Sequence, residues 1–214
     1  MTITIDGPGG AGKSTVAKRL ARAIRYEYLD TGAMYRAVAY AYSRQKPTDL
    51  DAFLAGLSLT FSFDATTTVS LDGEDISGRI RTPEIALLAS TLSQDPKVRA
   101  HLTQMQRRAG KDGGIVAEGR DTGSVVFPDA EVKFYLDADI AERARRRHVE
   151  LAAVNQGEDI GRVREEMERR DRADSERDIA PLVRPRDSVY VDTTGRTIDD
   201  VVDTLEAQVR EALI

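Results

Sequence analysis

The sequence predicts an α/β fold built on a five-stranded parallel sheet with helices on both faces. Three observations point there. Short apolar runs at residues 2–6, 26–29, 113–119, 131–136 and 188–192 are separated by segments with helical spacing of apolar residues. These runs are nearly continuous rather than alternating, as strands buried on both faces are. The first of them leads straight into a glycine-rich turn and then a helix.

Composition bounds the rest. The 214 residues suit a single domain, 1–214, and 41% hydrophobic residues supply a core. There is no cysteine, which excludes disulfides, a thiol nucleophile and cysteine-ligated metals. The two histidines, His101 and His148, stand far apart, which argues against a histidine-rich metal site. No apolar run approaches the roughly 18 residues that span a bilayer, and no signal-like leader opens the chain, so a soluble, cytoplasmic protein is expected, with no membrane partner. A net charge of −5 argues against a nucleic-acid partner. Arginine nonetheless supplies 25 of the 31 cations. Guanidinium forks suit phosphate and carboxylate recognition, although compositional bias explains such an excess equally well.

Thr2–Asp6 (TITID) is the first strand, and Val16, Leu20, Ala23 and Ile24 mark the helix that follows its turn. Residues 26–29 form the second strand, and a helix opens with Thr31 as its N-cap. A short helix spans residues 49–57. The texture changes at residues 59–82, where Thr, Ser and alternating apolar residues surround Asp72–Gly73, a strong hairpin signal. This reads as a small antiparallel meander inserted into the parallel scheme. Pro83 opens a helix to Gln94 and Pro96 opens another to Arg108. After the third and fourth strands come helices at 138–154 and 160–172, an irregular stretch at 173–187, the last strand, and a closing amphipathic helix at 198–213.

The strongest motif is Gly7–Ser14, GPGGAGKS, which fits GxxxxGK[ST] between a strand and a helix. Gly7, Gly9, Gly10 and Gly12, with Pro8 and Ala11, leave room for backbone amides to close around phosphate oxygens, and the dipole of the next helix points at the same anion. Lys13 reaches the β- and γ-phosphates, and the hydroxyl of Ser14, followed by Thr15, is suited to ligate Mg²⁺. This segment predicts binding of a nucleoside triphosphate by a P-loop, and by itself it names no acceptor.

Three further segments lie at strand ends, where open parallel sheets take ligands. LDTGAMYR carries Asp30, Thr31 and Arg36; AEGRDTGSVVFPDA carries Glu118, Arg120 and Asp121; RRDRADSERDIAPL is rich in arginine. Phosphoryl transfer needs aligned phosphates and offset charge, which converging arginines supply. Taken alone, the third segment also fits a solvated charged helix, and Glu118 fits either a metal-side carboxylate or a surface strand end.

Together, ITIDGPGGAGKST, LDTGAMYR, DGEDISGRIRTPEI, EGRDTGSVVFPDA and RRDRADSERDIAPL resemble the bacterial cytidylate kinases of the nucleoside monophosphate kinase group over nearly the whole chain. The resemblance implies transfer of the γ-phosphoryl of ATP to CMP or dCMP with Mg²⁺, giving ADP and CDP or dCDP, in pyrimidine metabolism. It also implies an NMP-binding insertion at residues 59–108 and a helical lid at 152–180, mobile without ligand. By the same resemblance, Arg36 and Arg120 hold the CMP phosphate, with Thr31 nearby. Ser90, Arg99 and Asp121 read the cytosine edge. Arg170 and Asp174 meet the ribose or its phosphate, and Arg177 completes the site from the lid. Lys13, Arg120, Arg170 and Arg177 form the catalytic set, with Ser14 on Mg²⁺ and Glu118 reaching the metal through water. Two positions depart from the family pattern: Thr31 stands where serine is common, and Thr122 where an apolar residue is common. Read without the resemblance, Ser90 and Arg99 also fit ordinary helix positions. A monomer is expected. Two other readings remain open: a kinase for another small acceptor, such as shikimate, gluconate or a different monophosphate, and a nucleotide-dependent switch.

Overall fold

The computed structural model describes residues 1–63, 67–153 and 157–212. In chain order, β1 (Thr2–Asp6) leads into α1 (Lys13–Ile24), then β2 (Glu27–Asp30), α2 (Thr31–Gln45) and α3 (Leu50–Gly56). Next come β3 (Leu59–Phe63), β4 (Thr67–Leu71), β5 (Glu74–Asp75), α4 (Pro83–Leu92) and α5 (Pro96–Ala109). The chain continues through β6 (Ile115–Glu118), β7 (Val132–Asp137), α6 (Ile140–Ala153), α7 (Ile160–Glu176), β8 (Val189–Asp192) and α8 (Ile198–Ala212).

The main sheet has the order β2-β6-β1-β7-β8, and every pairing is parallel. Parallel neighbours require crossovers, and the helices that make them cover both faces. Ile3, Ile5, Val116, Phe134 and Leu136 pack with α1 and α8 on one face. Ile115, Ala117 and Leu29 join α2, α4 and α5 on the other. Residues 115, 116 and 117 thus alternate between the two cores, as the pleat demands.

The meander is a three-stranded antiparallel sheet, β3-β4-β5. Asp72 and Gly73 take φ of 51° and 81° at the tip between Leu71 and its partner Glu74, the left-handed pair a two-residue hairpin needs. Thr67 ties this sheet to the core: its hydroxyl accepts from the Asp30 amide (3.0 Å) and donates to the Tyr28 carbonyl (2.8 Å) on the outer rim of β2. Residues 64–66 of the meander, 154–156 of the expected lid and 213–214 of the expected last helix lie outside the described residues.

Four sequence expectations need correction. Thr31 is not the N-cap of α2; Asp30 is, its side chain accepting from the Ala33 amide at 2.8 Å. α1 starts at Lys13, three residues before its first apolar marker, because the glycine loop itself winds into the helix. α4 ends at Leu92, two residues short of Gln94. α7 runs on to Glu176 and so includes 173–176, expected to be irregular; no glycine or proline stands in those four residues, and the chain turns extended only at Arg177, ψ 141°.

Candidate active site

All five strands of the main sheet end in an acidic residue: Asp6, Asp30, Glu118, Asp137 and Asp192. Sequence does not say which of these serves chemistry, but hydrogen bonding separates them. Asp6 receives the amides of Thr122 (2.9 Å) and Gly123 (2.7 Å), and the Thr122 hydroxyl at 2.7 Å. The unusual Thr122 therefore has a polar role, anchoring the π-helical turn Thr122–Val126 beyond β6. Burial pushes the Asp6 carboxyl up, against the pull of those donors. Asp30 caps α2, Asp137 takes the Ala138 amide (2.8 Å) and Asp192 takes the Thr194 amide (2.8 Å). Among the described residues, Glu118 alone of the five has its carboxylate held by a side chain and not by a backbone amide: the Tyr28 hydroxyl donates to it at 2.7 Å.

The glycine loop lies between β1 and α1. At Gly7, φ is 143° and a Cβ would stand 1.9 Å from the Leu136 carbonyl oxygen, so no other residue fits. Lys13 is buried and donates to the Pro8 carbonyl at 2.6 Å. Burial, then the nearby Arg120, holds its pKa down to about 7. Ser14 and Thr15 are exposed on the first turn of α1.

The carbonyls of this loop are held by side chains that sequence reading missed. Arg143 donates to the Gly9 carbonyl (3.1 Å), Arg146 to that of Gly10 (3.5 Å) and Thr193 to that of Ala11 (3.2 Å). With four successive carbonyls engaged on the protein side, the opposite, amide-bearing side is left for an anion. Beside the loop a cleft of about 350 Å³ is lined by Gly10, Gly12, Thr15, Arg146, Thr197 and Ile198. The signal for the two arginines is their one-turn spacing in AERARRRH, but nothing in the sequence aims them at residues more than 130 positions away.

The second cluster joins distant segments. Asp121, beyond β6, pairs with Arg99 of α5 and, at 3.3 Å, with Arg177 just after α7. Asp174 of α7 pairs with Arg120 at 2.9 Å and lies 3.9 Å from Arg177. The expected residues Arg99, Asp121, Arg177, Asp174 and Arg120 therefore form one alternating chain of charge. Arg99 is further aimed by the Ser93 carbonyl at the end of α4 (3.0 Å) and stacks over Tyr35, 5.6 Å from its centroid. Burial pushes the Tyr35 phenol up to about 12. Arg36 pairs with Asp30 at 3.1 Å, and its buried Nε has no partner. Arg170 makes no hydrogen bond or ion pair among the described residues; burial and Arg120 both push its pKa down.

Two expected residues stand apart from this network. Thr31 spends its hydroxyl proton on the Glu118 carbonyl (2.7 Å), which ties α2 to β6 and leaves the oxygen only as an acceptor. Ser90 is half-buried on α4, and among the described residues its hydroxyl makes no bond to the cluster.

The two clusters touch. A Cβ at Gly9 would lie 3.6 Å from Nη2 of Arg120, and one at Gly10 would meet Met167 of α7 at 2.8 Å. One stripe of α7 thus runs from Met167 over the loop, through Asp171, which pairs with Arg143 at 2.5 Å, to Asp174.

A family model for cytidylate kinase matches residues 3–211. A cytidylate kinase from Citrifermentans bemidjiense is 47% identical over 217 aligned residues, spanning 99% of this chain and 93% of that relative. One from a Geobacillus species is 42% identical, spanning 99% and 97%. Among solved structures, an uncharacterized protein from Eubacterium ventriosum superposes with a TM-score of 0.57 at 12% identity, over 98% of each chain. The shikimate kinase of Bacteroides thetaiotaomicron gives 0.50 at 13% identity, also over 98% of each. These two likenesses concern fold alone.

Proposed function

Because this chain belongs to the cytidylate kinase family, we propose that its cleft moves the γ-phosphoryl of ATP to CMP or dCMP, giving ADP and CDP or dCDP. The enzyme is an ATP-dependent phosphotransferase. The glycine loop and Lys13 take the triphosphate, and the 350 Å³ cleft beside them takes the donor nucleoside. Arg36 and Arg120, with Thr31 nearby, take the acceptor phosphate; Arg170 and Asp174 meet its ribose or its phosphate; Arg177 closes the site. Residues 59–108 serve as the acceptor-binding insertion and 152–180 as the lid.

One observation supports this reading above the others: Arg120 lies against the glycine loop while paired to Asp174. One guanidinium therefore faces both phosphates. Transfer needs donor and acceptor phosphates in line with their charge offset, and Lys13, Arg120, Arg170 and Arg177 converge there.

Cytosine recognition follows from donor and acceptor arithmetic. Asp121 uses one site on each oxygen for Arg99 and Arg177, which leaves lone pairs for the exocyclic amine of cytosine. Arg99 and the Ser90 hydroxyl serve the O2 and N3 acceptors. Uracil presents an acceptor where cytosine presents that amine, and Asp121 rejects it.

Among the described residues, no group of three His, Asp or Glu side chains could hold a metal unaided. The exposed Ser14 hydroxyl on the first turn of α1 and the buried Glu118 carboxylate at the end of β6 supply oxygen ligands of the kind that suit Mg²⁺ arriving with the triphosphate, Ser14 as direct ligand and Glu118 through water. Bound there, Mg²⁺ neutralises charge on the transferring phosphoryl oxygens. The same reading includes a monomer working in the cytoplasm; among the described residues no helix is long and apolar enough to cross a membrane.

A substrate panel read by coupled ADP release tests the assignment. CMP and dCMP are expected to outpace UMP and AMP by at least tenfold in kcat/KM; UMP or AMP turned over faster than CMP overturns it.

A further inference from the structure

We propose that Tyr35 is a positioning residue for recognition of the acceptor base: its ring, lying over the Arg99 guanidinium, fixes the direction in which that arginine offers its N–H groups, and so sharpens discrimination between cytosine and uracil. The inference deepens the reading of Arg99 given above and rests on it.

Tyr35 stands beside Arg36 in α2 and packs, half-buried, against the core that α2 shares with α4 and α5. Arg99 comes from α5, and its Cζ stands over the Tyr35 ring, 5.6 Å from the centroid. The arginine side chain is only 5% exposed. Its Nη1 donates to the Ser93 carbonyl at 3.0 Å and its Nη2 to the Asp121 carboxylate. Arg177 draws on the same carboxylate at 3.3 Å. The Tyr35 hydroxyl makes no hydrogen bond among the described residues, so what Tyr35 gives this cluster is its ring.

Two hydrogen bonds hold a planar group at two points and leave it free to rock about the line between them. A third contact, on Cζ, opposes that motion. Direction matters because an N–H bond weakens steeply once its angle falls below about 120°. The ring also answers a shortage of negative charge. One carboxylate serves two buried guanidiniums, and the electron-rich face of an aromatic ring attracts a cation most strongly where water is excluded. Burial pushes the Tyr35 phenol up to about 12, against the pull of Arg99, so the ring stays uncharged at working pH. Uracil carries a proton on N3, where cytosine carries a lone pair. A guanidinium free to swing can turn aside from that proton; one held in place meets it donor to donor, and the wrong base is penalised.

The test measures kcat and KM for CMP and for UMP in the whole protein, at saturating ATP. In Tyr35→Leu, the kcat/KM ratio of CMP to UMP is expected to fall about fivefold, the worth of a mid-range cation–ring contact, through a higher KM for CMP with kcat nearly unchanged. Tyr35→Phe keeps the ring and should stay within about twofold of wild type. A Tyr35→Leu ratio equal to that of wild type, whatever its melting temperature, overturns the proposal, and so does a Tyr35→Phe as impaired as Tyr35→Leu. Combining variants tests the route. In an Arg99→Met background, Tyr35→Leu should change the ratio by less than about twofold; a loss as large as in the wild-type background means that Tyr35 does not act through Arg99, and overturns the proposal. If Arg99→Met by itself leaves the wild-type ratio intact, the reading of Arg99 fails and the proposal with it. Should Tyr35→Leu not fold, increasingly fluorinated phenylalanines at position 35 weaken the ring face at nearly constant shape. Discrimination is expected to fall step by step with added fluorine, and a flat series overturns the proposal.

Discussion

The two clusters that the proposed function assigns to the donor and acceptor phosphates are built in opposite ways. The donor end is one continuous stretch, Gly7–Thr15, whose shape comes from main chain and glycine. The acceptor end draws single side chains from α2, α5, α7 and the turn after β6, and its shape comes from ion pairs among them. The course of the main-chain loop is set locally, and Arg143, Arg146 and Thr193 then hold its carbonyls from outside. A site of alternating charges exists only when four distant segments have docked, and each of its buried members depends on its neighbours.

The largest expected effect lies at the donor end. Lys13→Ala should lower kcat by about 10²- to 10³-fold, in line with removal of one preorganised cation or donor. Circular dichroism should show an unchanged fold, and near-normal turnover would contradict the contrast between the ends. At the acceptor end, Asp121→Ala should weaken CMP by roughly 10- to 100-fold, the worth of one or two charge-assisted hydrogen bonds, with ATP affinity within about twofold. It also leaves Arg99 and Arg177 buried without their partner, so the melting temperature should fall as it does when one member of a buried pair is removed. Equal weakening of both nucleotides would show that the two ends are not separable.

A smaller effect tests where they join. Asp171→Asn removes the charge from Arg143 while leaving that arginine bonded to the Gly9 and Ala138 carbonyls. At about 1 kcal/mol for one hydrogen bond, the KM for ATP should rise about fivefold with little change in the KM for CMP. The smallest effect is protonic. In the ligand-free protein Lys13 titrates near 7, below an ordinary lysine, and an anion in the loop raises that value again. ATP binding at pH 8 should therefore take up protons, approaching one per site, and the uptake should vanish below about pH 6, where Lys13 is already charged. Calorimetry in two buffers of different ionisation enthalpy measures it. By the same linkage, the unfolded chain holds more protons at this site between pH 7 and 10.5, so Lys13's contribution to the stability of the ligand-free fold rises with pH across that window.

The contrast also explains what was legible in the sequence. The donor loop, the apolar strands and the Asp72–Gly73 hairpin are local: spacing and residue type suffice to find them. Family motifs single out the members of the charge cluster one by one, but not their pairing, because Arg99 and Asp121, or Arg120 and Asp174, meet only through the fold. Arg143 and Arg146 show only a one-turn spacing and Thr193 no signal, and nothing in the sequence names their targets, which are loop carbonyls that every residue possesses. The reach of α7 through Asp174 was missed for a different reason. Its dense charge hides the apolar rhythm that marks a helix, and Val163 is its only buried apolar residue.

The Thr67 hydroxyl has a further consequence for the molecule in a crowded solution. By filling one donor and one acceptor on the outermost strand, it leaves fewer free main-chain groups on that rim for another polypeptide to pair with. A single oxygen, placed by the start of a hairpin, thus guards that flank against edge-to-edge clumping.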